Sequence, residues 1–272
     1  MIPGWFEERA EKYREYFELE TEAPIIPAHA RQPVVKPMQA MALKRFNIEW
    51  HFIPSAVDLP FDNAYLAKLY PTAPRLLTAK RESDERSLRN VLSKGHAHQQ
   101  GYVVGIETTQ KPGYLPRNRQ FYGTKFGHDL ATDPLTPYFG AVGMANGTRF
   151  EQNYPTLRKL FNFLNDDWNK RNLLPAGYRV TVCPPAIFNL IGTVFYPQWS
   201  ETESLELGFY RDERGNATCF AVGANSFGDF SYIDVIDSEE WALAGFRIAL
   251  LPEQTKFDSK YDEQINWTNL KN

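Results

Sequence analysis

The hydrophobic pattern changes period at Pro175-Ala176-Gly177. Before that point Leu157, Leu160, Phe161, Leu164 and Trp168 recur at steps of three and four. That spacing lines them along one side of a helix predicted over 155–171. Pro155 falls in its first turn, where a backbone N–H has no helical partner to lose, and the Pro-Ala-Gly triplet closes it. After the triplet, apolar, branched and aromatic residues crowd 178–183 and 187–196. Leu205–Tyr210 alternates, Arg211–Asn216 reads as a turn, and Ala217–Val222 returns. The pattern predicts strands at 178–183 and 187–196, a β-hairpin over 205–222 and further strands at 230–236 and 246–251. The fold class that follows is α+β: an antiparallel β-sheet core with strands concentrated in residues 178–251, one long amphipathic helix and several short helices.

The N-terminal third adds an arm. Phe6, Ala10, Tyr13 and Phe17 fall on one side of a helix predicted over 4–20, with charged residues opposite. Pro24, Pro27, Pro33 and Pro37 follow, and each fixes φ and removes a donor, so an extended tether is expected. Residues 1–37 therefore read as a helical arm with a Pro-rich tether, and 38–272 as a single α+β domain. The arm offers an apolar face to the body, to a protein partner or to a second copy. Phe46–Ile53 alternates as a strand, 62–69 and 83–93 read as short helices, and 101–109 reads as a strand. Residues 110–137 are rich in proline and glycine and read as a long irregular excursion.

At 272 residues and 43% hydrophobic, the chain buries a sizeable core without staples, and disordered, collagen-like and coiled-coil classes are excluded. No apolar run reaches the roughly 18 residues that span a bilayer, and the first nine residues lack the pattern of a secretory signal. The expected location is cytoplasmic, with no membrane partner. Cys183 and Cys219 define no disulfide framework and read as reduced, structural thiols.

Common catalytic and cofactor signatures are missing. No GxGxxG, Walker A, GxSxG, HExxH or CxxC occurs. Asp166-Asp167 is a carboxylate pair whose side chains diverge by about 100° on a helix, so it reads as solvated surface. Glu201, Glu203 and Glu206 read as a charged strand edge. Three of the five histidines fall close together, and His96-Ala97-His98 projects both rings to one face of an extended chain. With Glu107 and His128 they make a three-histidine, one-carboxylate metal set. That set resembles the metal site of the cupin barrels. The resemblance implies a metal-dependent enzyme, although nine positions separate His98 from Glu107 where the cupin spacing is about half that. Asn189–Val194 and Gly245–Arg247 resemble fragments of the C-type-lectin-like domains of the formylglycine-generating enzyme group. The motifs expected around those fragments are missing, and no residue role is carried over. The sequence decides neither for nor against catalysis and names no cofactor.

Charge is unevenly spread. Arg75–Lys125 holds ten basic residues against four acids, whereas Glu201 to the end holds fourteen acids against six bases. Between Lys94 and His128 the only acid is Glu107. Lys111, Arg117, Arg119 and Lys125 alternate there with Tyr114, Phe121, Tyr122 and Phe126. Single-stranded nucleic acid is bound by this mixture, because cations track phosphates and flat rings stack bases. The expected site residues are Lys111, Tyr114, Arg117, Arg119, Tyr122 and Lys125. The expected function is a non-catalytic nucleic-acid-binding or assembly subunit contacting an anionic strand through 94–128. The alternatives are a cupin-like metal enzyme using His96, His98, Glu107 and His128, and a structural protein of a larger assembly such as a virion.

Overall fold

Segments that alternate in the sequence pair into ladders. The computed structural model describes residues 4–20, 25–26, 32–55, 58–59, 68–69, 101–109, 133–144, 147–201, 205–211, 217–224, 229–236 and 244–253. Strands β1 (Ile48–Ile53), β2 (Tyr102–Glu107), β3 (Tyr178–Val182) and β8 (Ile248–Pro252) form one sheet in the order β1-β2-β8-β3, antiparallel throughout. Strands β4 (Leu205–Arg211), β5 (Ala217–Ala224) and β6 (Asp229–Ile236) pair antiparallel in a second sheet, to which the two-residue β7 (Ala244–Gly245) adds parallel to β4. The hairpin read at 205–222 is β4–β5. The chain passes from the second sheet to the first through two residues, Phe246 and Arg247.

Five helices flank the sheets among the described residues: α1 (Trp5–Phe17), α2 (Pro37–Arg45), α3 (Thr136–Val142), α4 (Tyr154–Lys170) and α5 (Pro185–Phe195). The apolar stripe of α4 is the predicted one, and all five of its residues are buried. Asn153 caps the helix by accepting from the Thr156 N–H at 2.9 Å, and Gly177, at φ 75°, makes the turn into β3. Helix α2 begins at Pro37, where the tether was expected to stay extended. Proline's fixed φ suits a first helical position, and the Gln39 side chain accepts from the Lys36 N–H at 2.8 Å. The irregular run expected to reach 137 gives way to α3 at Thr136. Of the two short helices read at 62–69 and 83–93, only Lys68 and Leu69 lie among the described residues.

One element departs from its predicted type. Ile187–Tyr196 was expected as a strand, and the chain there forms α5 and the residue after it. Every residue from Pro185 to Gly192 is buried, because α1 packs on the helix from one direction and β4, β5 and β6 from another. A short run this apolar reads equally as a buried strand or a buried helix, and its branched and aromatic residues favoured the strand. The start signal is Pro184-Pro185, with Pro184 extended at the cap and Pro185 in the first turn. The approach to the second sheet is close: a Cβ on Gly208 of β4 would sit 2.3 Å from Pro185 Cγ.

Helix side chains cover both outer strands of the first sheet. On β1, Arg9 Nε donates to the Trp50 carbonyl and the Tyr13 hydroxyl donates to the Phe52 carbonyl, each at 2.8 Å. Arg9 and Tyr13 are one helical turn apart on α1, so they meet carbonyls two residues apart on the strand. On β3, the Asn165 side chain of α4 donates to the Val180 carbonyl and accepts from the Val180 N–H, both at 2.8 Å. One side-chain amide thus stands in for a neighbouring strand's peptide group. Unpaired strand edges invite further pairing, and these contacts occupy the Trp50 and Phe52 carbonyls on one edge and Val180 on the other. Helix α1 belongs to the core, with Ala10, Tyr13 and Phe17 buried and Trp5 and Phe6 half-buried against it.

Candidate functional site

The predicted nucleic-acid residues Lys111, Tyr114, Arg117, Arg119, Tyr122 and Lys125, and the histidines His96, His98 and His128, lie outside the described residues. Glu107 lies within them, as the last residue of β2, with its side chain fully buried. Its Oε2 accepts from Arg149 Nη1 at 2.6 Å and from the Ile248 N–H at 3.1 Å. Arg149, also fully buried, donates from Nε and Nη2 to the two carboxylate oxygens of Asp133 at 2.8 and 2.9 Å. This forked geometry suits a planar guanidinium. Drawing Glu107 away toward a metal would take a carboxylate from a buried cation, which is costly. Among the described residues, no three His, Cys, Asp or Glu side chains gather as a metal set.

A second buried arginine joins the sheets. Arg247 Nε and Nη2 contact the Glu206 carboxylate at 2.7–3.1 Å, and Nη1 donates to the carbonyls of Glu107 and Thr109 at 2.6 and 2.7 Å. Its guanidinium lies 3.9 Å from the centre of the Trp199 ring, which stacks on Tyr196 and Phe188. Glu206 was expected on a charged strand edge. It is 2% exposed, because the crossing at Phe246-Arg247 runs alongside β4 and brings the guanidinium to it. Asp166 is exposed as expected. Asp167 is half-buried, accepting from the Tyr138 hydroxyl at 3.0 Å and from Arg171 at 3.2 Å. Cys183, just past β3, is buried and free, and burial followed by the nearby Glu206 carboxylate pushes its thiol well above the usual range. Cys219 lies on β5.

Beyond the end of β2 the chain meets the turn between α2 and β1. Thr108 donates from its N–H (2.8 Å) and hydroxyl (2.9 Å) to the Asn47 carbonyl, and the Asn47 side chain donates to Thr109 Oγ1 at 3.0 Å. Asn47 takes a left-handed φ of 49° that asparagine tolerates. A groove of about 410 Å³ opens here, walled by Val35, Leu43, Ile48 and Trp50 and carrying Lys44, Gln32, Asn47, Thr108 and Glu49. Along α2, Met38 and Met41 are exposed.

Glu49 begins a polar chain into the interior. Its Oε2 accepts from the Tyr196 hydroxyl at 3.0 Å, and Tyr196 Oη lies 3.1 Å from Nε2 of the buried His51. Tyr196 donates to the carboxylate, so Nε2 must carry the proton that meets the phenol oxygen. That assignment leaves His51 Nδ1 as a buried acceptor without a partner. Burial, then Arg9 and Lys12, holds the His51 pKa well below its ordinary value, so the ring is neutral.

No family model matches this chain. No curated protein and no solved structure matches it either. Among the described residues, no helix is long and apolar enough to cross a membrane. Sequence periodicity does not single out Arg149, Asp133, Arg247, His51 or Tyr196. The one legible signal is a lone arginine inside an apolar run, as in Gly245-Phe246-Arg247-Ile248-Ala249. A cation flanked on both sides by core residues must find a buried partner.

Proposed function

We propose that this chain is a non-catalytic nucleic-acid-binding subunit that contacts an anionic single strand through the segment 94–128. The observation that carries the reading is the burial of Glu107 against Arg149. Glu107 is the only acid between Lys94 and His128, and it is turned inward and neutralised. The segment therefore has no carboxylate of its own to offer its five cations, Lys94, Lys111, Arg117, Arg119 and Lys125. Such an excess attracts polyanions. The tyrosines at 114 and 122 supply rings for base stacking, and β2, paired on both sides, anchors the segment in the first sheet.

Fluorescence anisotropy with a labelled oligothymidylate at two salt concentrations tests this. Affinity should fall steeply with salt, because each neutralised phosphate releases counterions. Replacing Arg117 and Arg119 together by alanine should weaken binding and flatten the salt slope by up to about 1.4. Tyr114→Ala should cost about 1–3 kcal/mol and leave the slope nearly unchanged. Absence of binding at low salt would refute the reading. So would a double-arginine variant that binds normally and loses only thermal stability.

A further inference from the structure

Apolar exposure gathers at one place. Among the described residues four large apolar side chains are well exposed, and three of them, Val34 (90%), Met38 (62%) and Met41 (75%), stand on α2 or just ahead of it. Met38, Met41 and Arg45 recur at steps of three and four, on the side of α2 opposite the buried Gln39 and Leu43. Single apolar side chains on a surface need no explanation, whereas a stripe of them on one helix face marks a contact surface. Methionine suits such a surface, because its unbranched thioether adapts to a partner and packs well against aromatic rings. The charge there has one sign. From Val34 to Arg45 the chain holds Lys36, Lys44 and Arg45, all exposed, and no acid. The face fits an occupant that is apolar, aromatic and acidic.

The chain carries such a segment, and the fold delivers it to this place. Strand β8 runs out at Pro252, paired with Tyr178, and the Glu253 N–H donates to the Gly177 carbonyl at 2.8 Å. Three residues before Gly177, the Leu174 carbonyl accepts from Nε2 of Gln39 on α2 at 2.6 Å. The chain beyond Glu253 therefore sets out beside α2. Residues 261–270 hold Tyr261, Ile265, Trp267 and Leu270, together with Asp262 and Glu263 and no base. The eight residues from Glu253 to Tyr261 span up to about 26 Å, and the fourteen to Trp267 up to about 46 Å. A helix is about 10–12 Å thick, so the segment reaches the outward face of α2 with slack.

We propose that residues 261–270 dock on the outward face of α2, with their apolar side chains on Val34, Met38 and Met41 and their two carboxylates toward Lys44 and Arg45. The occupant is tethered by the short linker 254–260, so its effective concentration at the face is high and docking needs little intrinsic affinity. A symmetric contact between two copies through this face would instead bring Lys36, Lys44 and Arg45 against their own counterparts, and like charges so placed repel. Docking of the segment does not depend on what 94–128 binds.

Hydrogen exchange on the full chain tests this, with a free peptide of residues 261–270 as the reference. Amides of that segment should exchange at least about ten-fold more slowly in the protein than in the peptide. Met38→Asp combined with Met41→Asp should return them to the peptide rate, and so should Trp267→Ala. Both methionines are exposed, so the double variant leaves the core intact, and thermal unfolding checks this. If the double variant does not fold, Arg45→Glu decides: it should lower the protection about three-fold at low salt by setting two carboxylates against a third. Peptide-like exchange in the parent overturns the proposal. So does protection that survives the methionine changes or, where those do not fold, the Arg45 change, because the segment then packs elsewhere. Protection that rises with protein concentration, in step with a dimer in light scattering, also overturns it and gives the face to a second copy.

Discussion

The pair of Arg247 and Glu206 gives the sharpest test of how the two sheets are held together. Arg247 donates to the Glu206 carboxylate and to two carbonyls at the end of β2, and neither side chain is exposed by more than 2%. Changing Glu206 to glutamine takes from the buried guanidinium the carboxylate it grips with Nε and Nη2. Breaking a buried pair from one end costs about 3–5 kcal/mol. Arg247→Met strands the carboxylate instead, and also takes the donor from the Glu107 and Thr109 carbonyls, so its cost should match or exceed that figure. The double variant removes both charges and should cost less than the sum of the singles by about 2–3 kcal/mol. Domains have about 5–15 kcal/mol of stability in total, so each single change should remove a large share of it. Each lost kcal/mol lowers Tm by about 2–4 °C at this chain length. Urea unfolding followed by tryptophan fluorescence, alongside thermal scans, measures the cycle. Single changes costing under about 1 kcal/mol, or strictly additive losses, would show that the pair is solvated and would refute the reasoning.

Three further outcomes are expected. Asn165→Ala removes both partners of the Val180 peptide group. It should cost about 2 kcal/mol and speed amide exchange at Val180, and unchanged exchange would show that β3 does not rely on this amide. Gly208→Ala puts a methyl group 2.3 Å from Pro185 Cγ, so the start of α5 or β4 must shift; a loss of about 1–3 kcal/mol in thermal unfolding is expected, and a neutral result would contradict the close approach. His51 is neutral and buried, with its pKa held down in the folded chain. Below about pH 6.5 the unfolded chain binds a proton that the folded one does not, so folding stability falls by up to about 1.4 kcal/mol per pH unit until the folded pKa is reached. His51→Gln should remove that part of the pH dependence between pH 7 and pH 5, and an unaltered slope would place the titration elsewhere.

Some of this was legible in the residues alone. The stripe of Leu157, Leu160, Phe161, Leu164 and Trp168 and the face of Ala10, Tyr13 and Phe17 each have one side on the core and one side facing away from it, and the hairpin of β4 and β5 was marked by the turn-forming sequence between two alternating runs. Such elements record their environment as a local period, and a local period can be read. The concentration of cations and rings between 94 and 128 is likewise a property of the chain itself. The partners of those elements were not legible. Helix α5 is a short, mostly apolar run buried from Pro185 to Gly192, and such a run reads as strand or helix alike, so its type depended on what surrounded it. Glu107 was a candidate ligand and Glu206 a candidate surface charge, and both are buried against arginines roughly 40 residues away. The groove draws its lining from Gln32 to Trp50 and from Thr108, which only the pairing of β1 with β2 brings together. Periodicity reports whether a side chain faces inward over a few residues. Which group it meets there depends on contacts closed over long loops, and these form only as the whole fold packs.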